Sequence, residues 1–168
     1  MIMYYSILEI ILKLAIFKGF GFGLTSGVIT TLGMIIGLYA TTESKFVVIS
    51  GILSIAIADS VSDALGIHLS EESDTTKSSK HIWIATLSTF LSKFIITVSF
   101  ILPILLFNLN IAILISIIWG IFLVSIYSFK IAIERSENPY KAIFEHILIM
   151  SIVLSIVYFT GKSLSMIE

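Results

Sequence analysis

The chain has 168 residues, of which 57% are hydrophobic and only 12% are charged, and its formal net charge is −1. Soluble domains carry about 25% charged residues, and a chain of this length could not bury so much apolar surface in water, so the composition indicates an integral membrane protein. The net charge offers no basic surface for nucleic acid, and the absence of cysteine excludes disulfides, thiolate metal sites and thiol catalysis.

The first predicted element is an amphipathic helix over residues 3–18. Ser6, Glu9 and Lys13 share one helical face, and apolar residues fill the rest. This pattern is typical of a helix that lies at the membrane surface and leads into a span, although a sixth, short span is the alternative. Because Glu9 and Lys13 interrupt the apolar run and no basic leader precedes it, the segment does not resemble a signal peptide.

Bilayer-spanning helices need about 20 mostly apolar residues. Five stretches meet this requirement, and they lie at 20–41, 46–68, 82–106, 110–130 and 145–162. The segments between them are short and polar, so we expect an all-α polytopic fold with a single transmembrane domain over residues 1–168. Asn138-Pro139 is a turn or helix-start signal ahead of the last span.

Lysine and arginine predict the orientation, because they concentrate in cytoplasmic loops. With a cytoplasmic N-terminus, the basic residues on the inside are Lys13, Lys18, Lys77, Lys80, Lys130, Arg135 and Lys141. Only Lys45 and Lys162 are then outside, and the C-terminus is outside as well. The expected location is the plasma membrane of a prokaryotic cell.

Asp59 and Asp63 lie four residues apart inside the second predicted span, on a helical face that Ser62 and Gly66 extend. A carboxylate at the bilayer centre costs about 2.5–3.5 kcal/mol on insertion scales, so such acids usually line an ion or proton pathway. Their oxygens suit hard or borderline divalent cations, and a close pair could hold a proton when no cation is bound. The alternative is a structural polar pair that ties helices together.

Lys93 lies near the middle of the third predicted span, at about the depth of Asp59. We expect its ammonium group to pair with Asp59 or Asp63, so that a divalent cation would have to displace it. The alternative is an interhelical ion pair with no role in transport.

The first predicted span brings hydroxyls and small residues to its surface. Ser26 and Thr30 could line a pathway, although they could equally satisfy backbone carbonyls at a packed interface. Met34 is a candidate thioether ligand, with core packing as the alternative. Gly23, Gly27 and Gly37 also predict close helix packing.

An acidic cluster follows the second predicted span. It consists of His68, Glu71, Glu72 and Asp74, and His68 and Glu72 have the i, i+4 spacing that would allow them to share a cation. We expect this cluster to concentrate metal at a cytoplasmic entrance, with a solvated helix end as the alternative.

Enzyme motifs are not found in the sequence. It contains no HExxH, GxSxG or phosphate-binding loop. Membrane phosphatidyltransferases also use intramembrane aspartates, but Asp63 is followed by "ALGIH" without the arginine of their pattern. We therefore do not expect an enzyme.

Three segments together resemble the vacuolar iron transporter (CCC1-like) family. They are "GLTSGVITTLGMIIGLYA" at 23–40, "SDALGIHLSEES" at 62–73 and "NPYKAIFEHILIMSIVLSIVYFTGK" at 138–162. Pro103 near the end of the third span also fits. The resemblance covers nearly the whole chain, as a divergent short member without the long cytoplasmic metal-binding insert.

The resemblance implies a five-span homodimer that exports Fe²⁺, and often Mn²⁺, in exchange for protons along a pathway between the first and second spans. The family's first-span aspartate falls at Ser26 and its second-span methionine at Asp63, while its second-span glutamate has no counterpart near Ile55. Replacing a thioether by a carboxylate should favour harder cations such as Mn²⁺ or Mg²⁺.

The function expected from the sequence is proton-coupled export of a divalent cation by a homodimer. Cations and protons are the expected substrates, and no tightly bound cofactor is expected. A non-transporting scaffold or partner subunit and a monovalent cation/proton exchanger are the alternatives.

Overall fold

The computed structural model describes residues 2–167, with side chains described from residue 11 onward. This part of the chain folds into helices joined by short connections. They are α1 (Ile2–Thr42), α2 (Lys45–Glu72), α3 (Ser79–Ser99), α4 (Ile101–Leu106), α5 (Leu109–Glu134) and α6 (Pro139–Leu164).

Five segments of the described chain are long and apolar enough to cross a membrane. They are Ile11–Thr42, Lys45–Glu72, Ser79–Leu106, Leu109–Glu134 and Pro139–Leu164. The prediction of an all-helical fold with five spans is therefore confirmed, and the helices extend beyond several of the predicted bounds. An integral membrane protein follows from this length and composition.

Helix α1 runs without a break from Ile2 to Thr42, so its backbone does not separate the predicted surface helix at 3–18 from the first span. The side chains of Ser6 and Glu9, on which the predicted amphipathic face depends, lie outside the described residues.

Polar side chains set the starts of four helices. Ser44, Ser78, Asn108 and Asn138 each accept a hydrogen bond from a backbone N–H in the first turn of α2, α3, α5 and α6 respectively. Asn138 is followed by Pro139 at the first helical position, as the sequence signal predicted.

The helix of the third span is interrupted at Phe100, between α3 and α4. Pro103 cannot donate a hydrogen bond to the carbonyl of Ser99 four residues earlier, which interrupts the helical ladder. The N–H of Phe100 instead bonds the carbonyl oxygen of Thr97 at 3.2 Å, and Phe100 is fully buried.

Glycines let α1 pack closely against two neighbours. A Cβ atom on Gly19 would overlap the carbonyl oxygen of Ala85 in α3, and one on Gly23 would overlap the hydroxyl of Ser92. On another face of α1, a Cβ on Gly37 would lie 3.0 Å from Val157 in α6. The prediction of close packing at Gly23 and Gly37 is therefore confirmed, and α1 is the central helix of the bundle.

The helices alternate in direction, so their contacts define two ends of the bundle. At one end, which we call the basic end, Lys18 contacts Glu71 and Lys130 lies over the ring of Phe17. At the opposite end, Lys45 caps the end of α4 by donating to the carbonyl oxygens of Leu105 and Phe107, each at 3.1 Å.

Candidate functional site

Lys93 is the centre of the candidate site. Its side chain is only 1% exposed, and its Nζ atom lies 2.6 Å from Oδ2 of Asp59 and 2.5 Å from Oδ2 of Asp63. The predicted pairing is therefore present, and it involves both aspartates rather than one. An ammonium group needs such partners, because burying it unpaired near the middle of a span would be costly.

Ser26 of α1 completes this arrangement. Lys93 donates to its Oγ atom at 2.9 Å, and the Ser26 hydroxyl donates to Oδ2 of Asp63 at 2.6 Å. The ammonium has three N–H groups, and Ser26, Asp59 and Asp63 provide one acceptor for each. Three helices thus meet at one polar network.

The network lies near the middle of the bundle. Lys93 is fourteen residues from Ser79 and thirteen from Leu106, the two ends of the third span. Asp59 is fourteen residues from Lys45 and thirteen from Glu72 in the second. At 1.5 Å per residue these positions are at about the same depth, which is why the pairing could be expected from the sequence.

The carboxylates are not sealed inside the protein. The side chain of Asp59 is 33% exposed and that of Asp63 is 20% exposed, while the ammonium between them is buried. Counting formal charges, two carboxylates and one ammonium leave a net charge of −1. The site is therefore an acidic, partly open group with a built-in cation.

The other predicted pathway residues have separate environments. Thr30 donates its hydroxyl to the carbonyl of Ser26 at 2.9 Å, which is the backbone-satisfying alternative for this residue. Met34 packs against Gly51 of α2, where an added Cβ would lie 3.1 Å from its sulfur. Ser62 is exposed, beside the aspartates on α2.

The residues of the predicted entrance cluster have protein partners of their own, and a role in attracting metal stays a prediction. Glu71 is buried and contacts Lys18 as well as Lys77, at 2.5 Å, and His81, at 3.1 Å. It therefore serves as the anionic centre of an ion-pair network that joins α1, α2 and α3 at the basic end.

Asp74 shares Lys77 with Glu71, at 3.7 Å, whereas His68 and Glu72 make no ion pair with that network. His68 has its Nδ1 atom 3.0 Å from the hydroxyl of Thr86, and its ring lies edge-on to Trp83. Glu72 is exposed. In the described part of the chain, no group of three or more histidine, aspartate or glutamate side chains could hold a metal ion. That His68 and Glu72 share a cation stays a prediction.

Two groups in the loop between α2 and α3 have shifted pKa values. Hydrogen bonds from the hydroxyl and N–H of Thr76 hold the pKa of the Asp74 carboxyl below its usual range. The hydrogen bond to Glu71 raises the pKa of the Lys77 ammonium. The Asp74 carboxylate therefore stabilises the conformation of this loop by accepting both hydrogen bonds.

Sequence reasoning did not predict three residues of the ion-pair network at the basic end, namely Lys18, Lys77 and His81. The two lysines carried only an orientation signal, and His81 carried no signal, because its partner Glu71 comes from another helix. Spacing along one helix cannot reveal a network built from three.

Comparisons with known proteins identify no relative: no family model, no curated protein and no solved structure matches the chain. The resemblance to the vacuolar iron transporter family thus stays a prediction from three short motifs. Function has to be argued from the geometry of the site.

Proposed function

We propose that the protein moves a divalent cation across the membrane and that Asp59 and Asp63 bind this cation. The observation that carries the proposal is the pair of partly exposed carboxylates near mid-span, held by one buried ammonium. Acids are rare at this depth, and they usually mark an ion or proton pathway.

Charge explains how such a site could work. The two carboxylates and Lys93 leave a net charge of −1, so the site attracts cations even with the ammonium in place. A divalent cation that displaces the ammonium would meet oxygen ligands from both carboxylates and the Ser26 hydroxyl, which lies 2.6 Å from Asp63. Oxygen ligands suit hard cations such as Mn²⁺ and Mg²⁺ better than soft ones.

Proton coupling follows from the same pair. A carboxylate oxygen binds either a proton or a metal ion, so protons and metal compete for the oxygens of Asp59 and Asp63. An exchanger needs this competition, because one ion must leave as the other binds. We propose export of the metal from the cytoplasm in exchange for protons.

A homodimer is part of this proposal. Small residues form an exposed stripe on α2 at four-residue spacing, and its members are Ser54, Ala58, Ser62, Gly66 and Ser70. Such stripes favour close helix association in membranes, and this one borders both aspartates. Two copies joined along it would bring four carboxylates near one axis.

One observation favours a second candidate, a non-transporting scaffold in which the same residues clamp three helices together. Both aspartates are satisfied by Lys93 of their own chain. A structural clamp needs no more than this, whereas a transporter must also be able to open the pair.

Ion flux into proteoliposomes with a pH gradient separates these candidates. We expect uptake of Mn²⁺, Fe²⁺ or Mg²⁺ by the wild type and none by Asp59→Asn/Asp63→Asn. Glu145→Gln, which neutralises an exposed acid on α6, is the matched control and should keep full flux. A correctly folded wild type that moves no cation would support the scaffold, and flux of Na⁺ alone would support a monovalent exchanger.

A further inference from the structure

A groove between α1 and α5 opens at the basic end of the bundle, away from the acid pair on α2. It encloses a cavity of about 560 Å³. Its floor is apolar and consists of Leu14, Ile16, Phe17 and Phe20. Leu14 is 60% exposed, Ile16 51% and Phe20 41%, whereas Phe17 is partly buried against the core.

Charged side chains form the rim of this groove. Lys13 comes from α1, while Lys130 and Glu134 come from the last turns of α5. Among the residues whose side chains are described, the rim carries two ammonium groups and one carboxylate. The groove therefore presents an apolar surface and a cationic edge side by side.

Lys130 is the best-defined part of the rim. Its Nζ atom lies 4.7 Å from the centroid of the Phe17 ring, and it makes no ion pair with any carboxylate in the part of the chain whose side chains are described. A cation–π contact positions the ammonium without neutralising it. The group can therefore donate to an anion in the groove.

We propose that this groove binds an anionic phospholipid, with its phosphodiester between Lys13 and Lys130 and an acyl chain along Phe17 and Phe20. Basic pockets between helices at the cytoplasmic side are suited to anionic headgroups, and the basic end is the side predicted to be cytoplasmic. A free phosphate would use the lysines but leave the apolar floor uncovered, so a lipid is the better match.

Glu134 provides a sharp test, because it is the one acid that lines the groove in the part of the chain whose side chains are described. It should repel an anionic headgroup, so Glu134→Gln should tighten binding. A zwitterionic headgroup has an ammonium group that can pair with Glu134, so Glu134→Gln should weaken its binding instead. A damaged fold would not produce tighter binding, so this variant also guards against misfolding as an explanation.

The experiment is a titration of phosphatidylglycerol followed by native mass spectrometry of the full chain in detergent. We expect Lys130→Gln to weaken binding about fivefold and Lys13→Gln/Lys130→Gln about 30-fold. Lys80→Gln, an exposed lysine outside the groove, is the matched control and should leave binding unchanged.

Several results would overturn the proposal. One is equal retention of phosphatidylglycerol by the wild type and the double variant, and another is equal retention of phosphatidylcholine and phosphatidylglycerol by the wild type. Displacement of the lipid by millimolar glycerol 1-phosphate would show that the headgroup alone binds, against the proposed role of the apolar floor. Because the readout is lipid binding, it is independent of whether the protein transports ions.

Discussion

Lys93→Met removes the ammonium group from the polar network while keeping a side chain of similar length. The change leaves Asp59 and Asp63 near mid-span without their common counter-charge. Breaking a buried ion pair typically costs about 3–5 kcal/mol. Because the two carboxylates are 33% and 20% exposed, we expect a loss near the lower limit.

The expected decrease in the free energy of unfolding is therefore about 3 kcal/mol. Reversible unfolding in mixed micelles measures it, with Lys80→Met as the control for losing a lysine at an exposed position. The triple variant Asp59→Asn/Asp63→Asn/Lys93→Met removes all the charges together and should recover most of the loss, because no unpaired charge remains. A Lys93→Met variant as stable as Lys80→Met would refute this reasoning.

Three further predictions concern packing and the basic end. Gly19→Ala places a Cβ against the carbonyl oxygen of Ala85 and should destabilise the fold by about 1–3 kcal/mol. Gly33→Ala, also in α1, places its Cβ 3.9 Å from Val157, an ordinary contact distance, and should not destabilise it. Equal unfolding free energies would contradict the tight α1–α3 contact. Glu71→Gln removes the anion shared by Lys18, Lys77 and His81. Because the lysines can regain water, we expect a loss of about 2 kcal/mol, against almost none for exposed Glu72→Gln, and the same unfolding assay decides. Thr76→Val removes a hydroxyl donor from Asp74, so the pKa of that carboxyl should rise in a carbon-13 NMR titration. In the wild type, the hydrogen bond from Thr76 to Asp74 stabilises the loop at a pH above the usual aspartate pKa, and this stability is lost as the pH falls through the lowered pKa of Asp74. An unchanged Asp74 pKa in Thr76→Val would contradict the role of this hydrogen bond.

The spans could be predicted because each one is a long apolar run, and length alone limits what such a run can be. The ends of the spans were harder to predict from the sequence. Lys45–Glu72 exceeds the predicted 46–68 because the polar residues after His68 continue the helix, with Glu71 facing inward. A polar run at the end of a span gives no indication of whether it is solvated or buried.

The core of the candidate site could also be anticipated. Asp59 and Asp63 share a face because they are one turn apart, and Lys93 lies at their depth because adjacent spans run in opposite directions. The bridge through Ser26 could not be predicted, since a hydroxyl in a first span usually bonds its own backbone. Tertiary contacts decide between such alternatives.

For Glu71, the local sequence pattern did not reveal the partners of the side chain. Its neighbours in "SEESD" suggested an acidic cluster that would attract metal. Its partners are a lysine 53 residues earlier in the chain, a lysine six residues later and a histidine ten residues later. The charge balance of this residue depends on how three helices meet, which a local pattern does not contain.

Proton movement driven by a metal gradient is the most direct measurement of cation/proton exchange at Asp59 and Asp63. A pH-sensitive dye is trapped in proteoliposomes, and Mn²⁺ is added outside with no pH gradient present at the start. We expect the wild type to release protons from the vesicles as Mn²⁺ enters, and Asp59→Asn/Asp63→Asn to do neither. Proton release of wild-type size from the double variant, or Mn²⁺ entry without proton movement in the wild type, would contradict it.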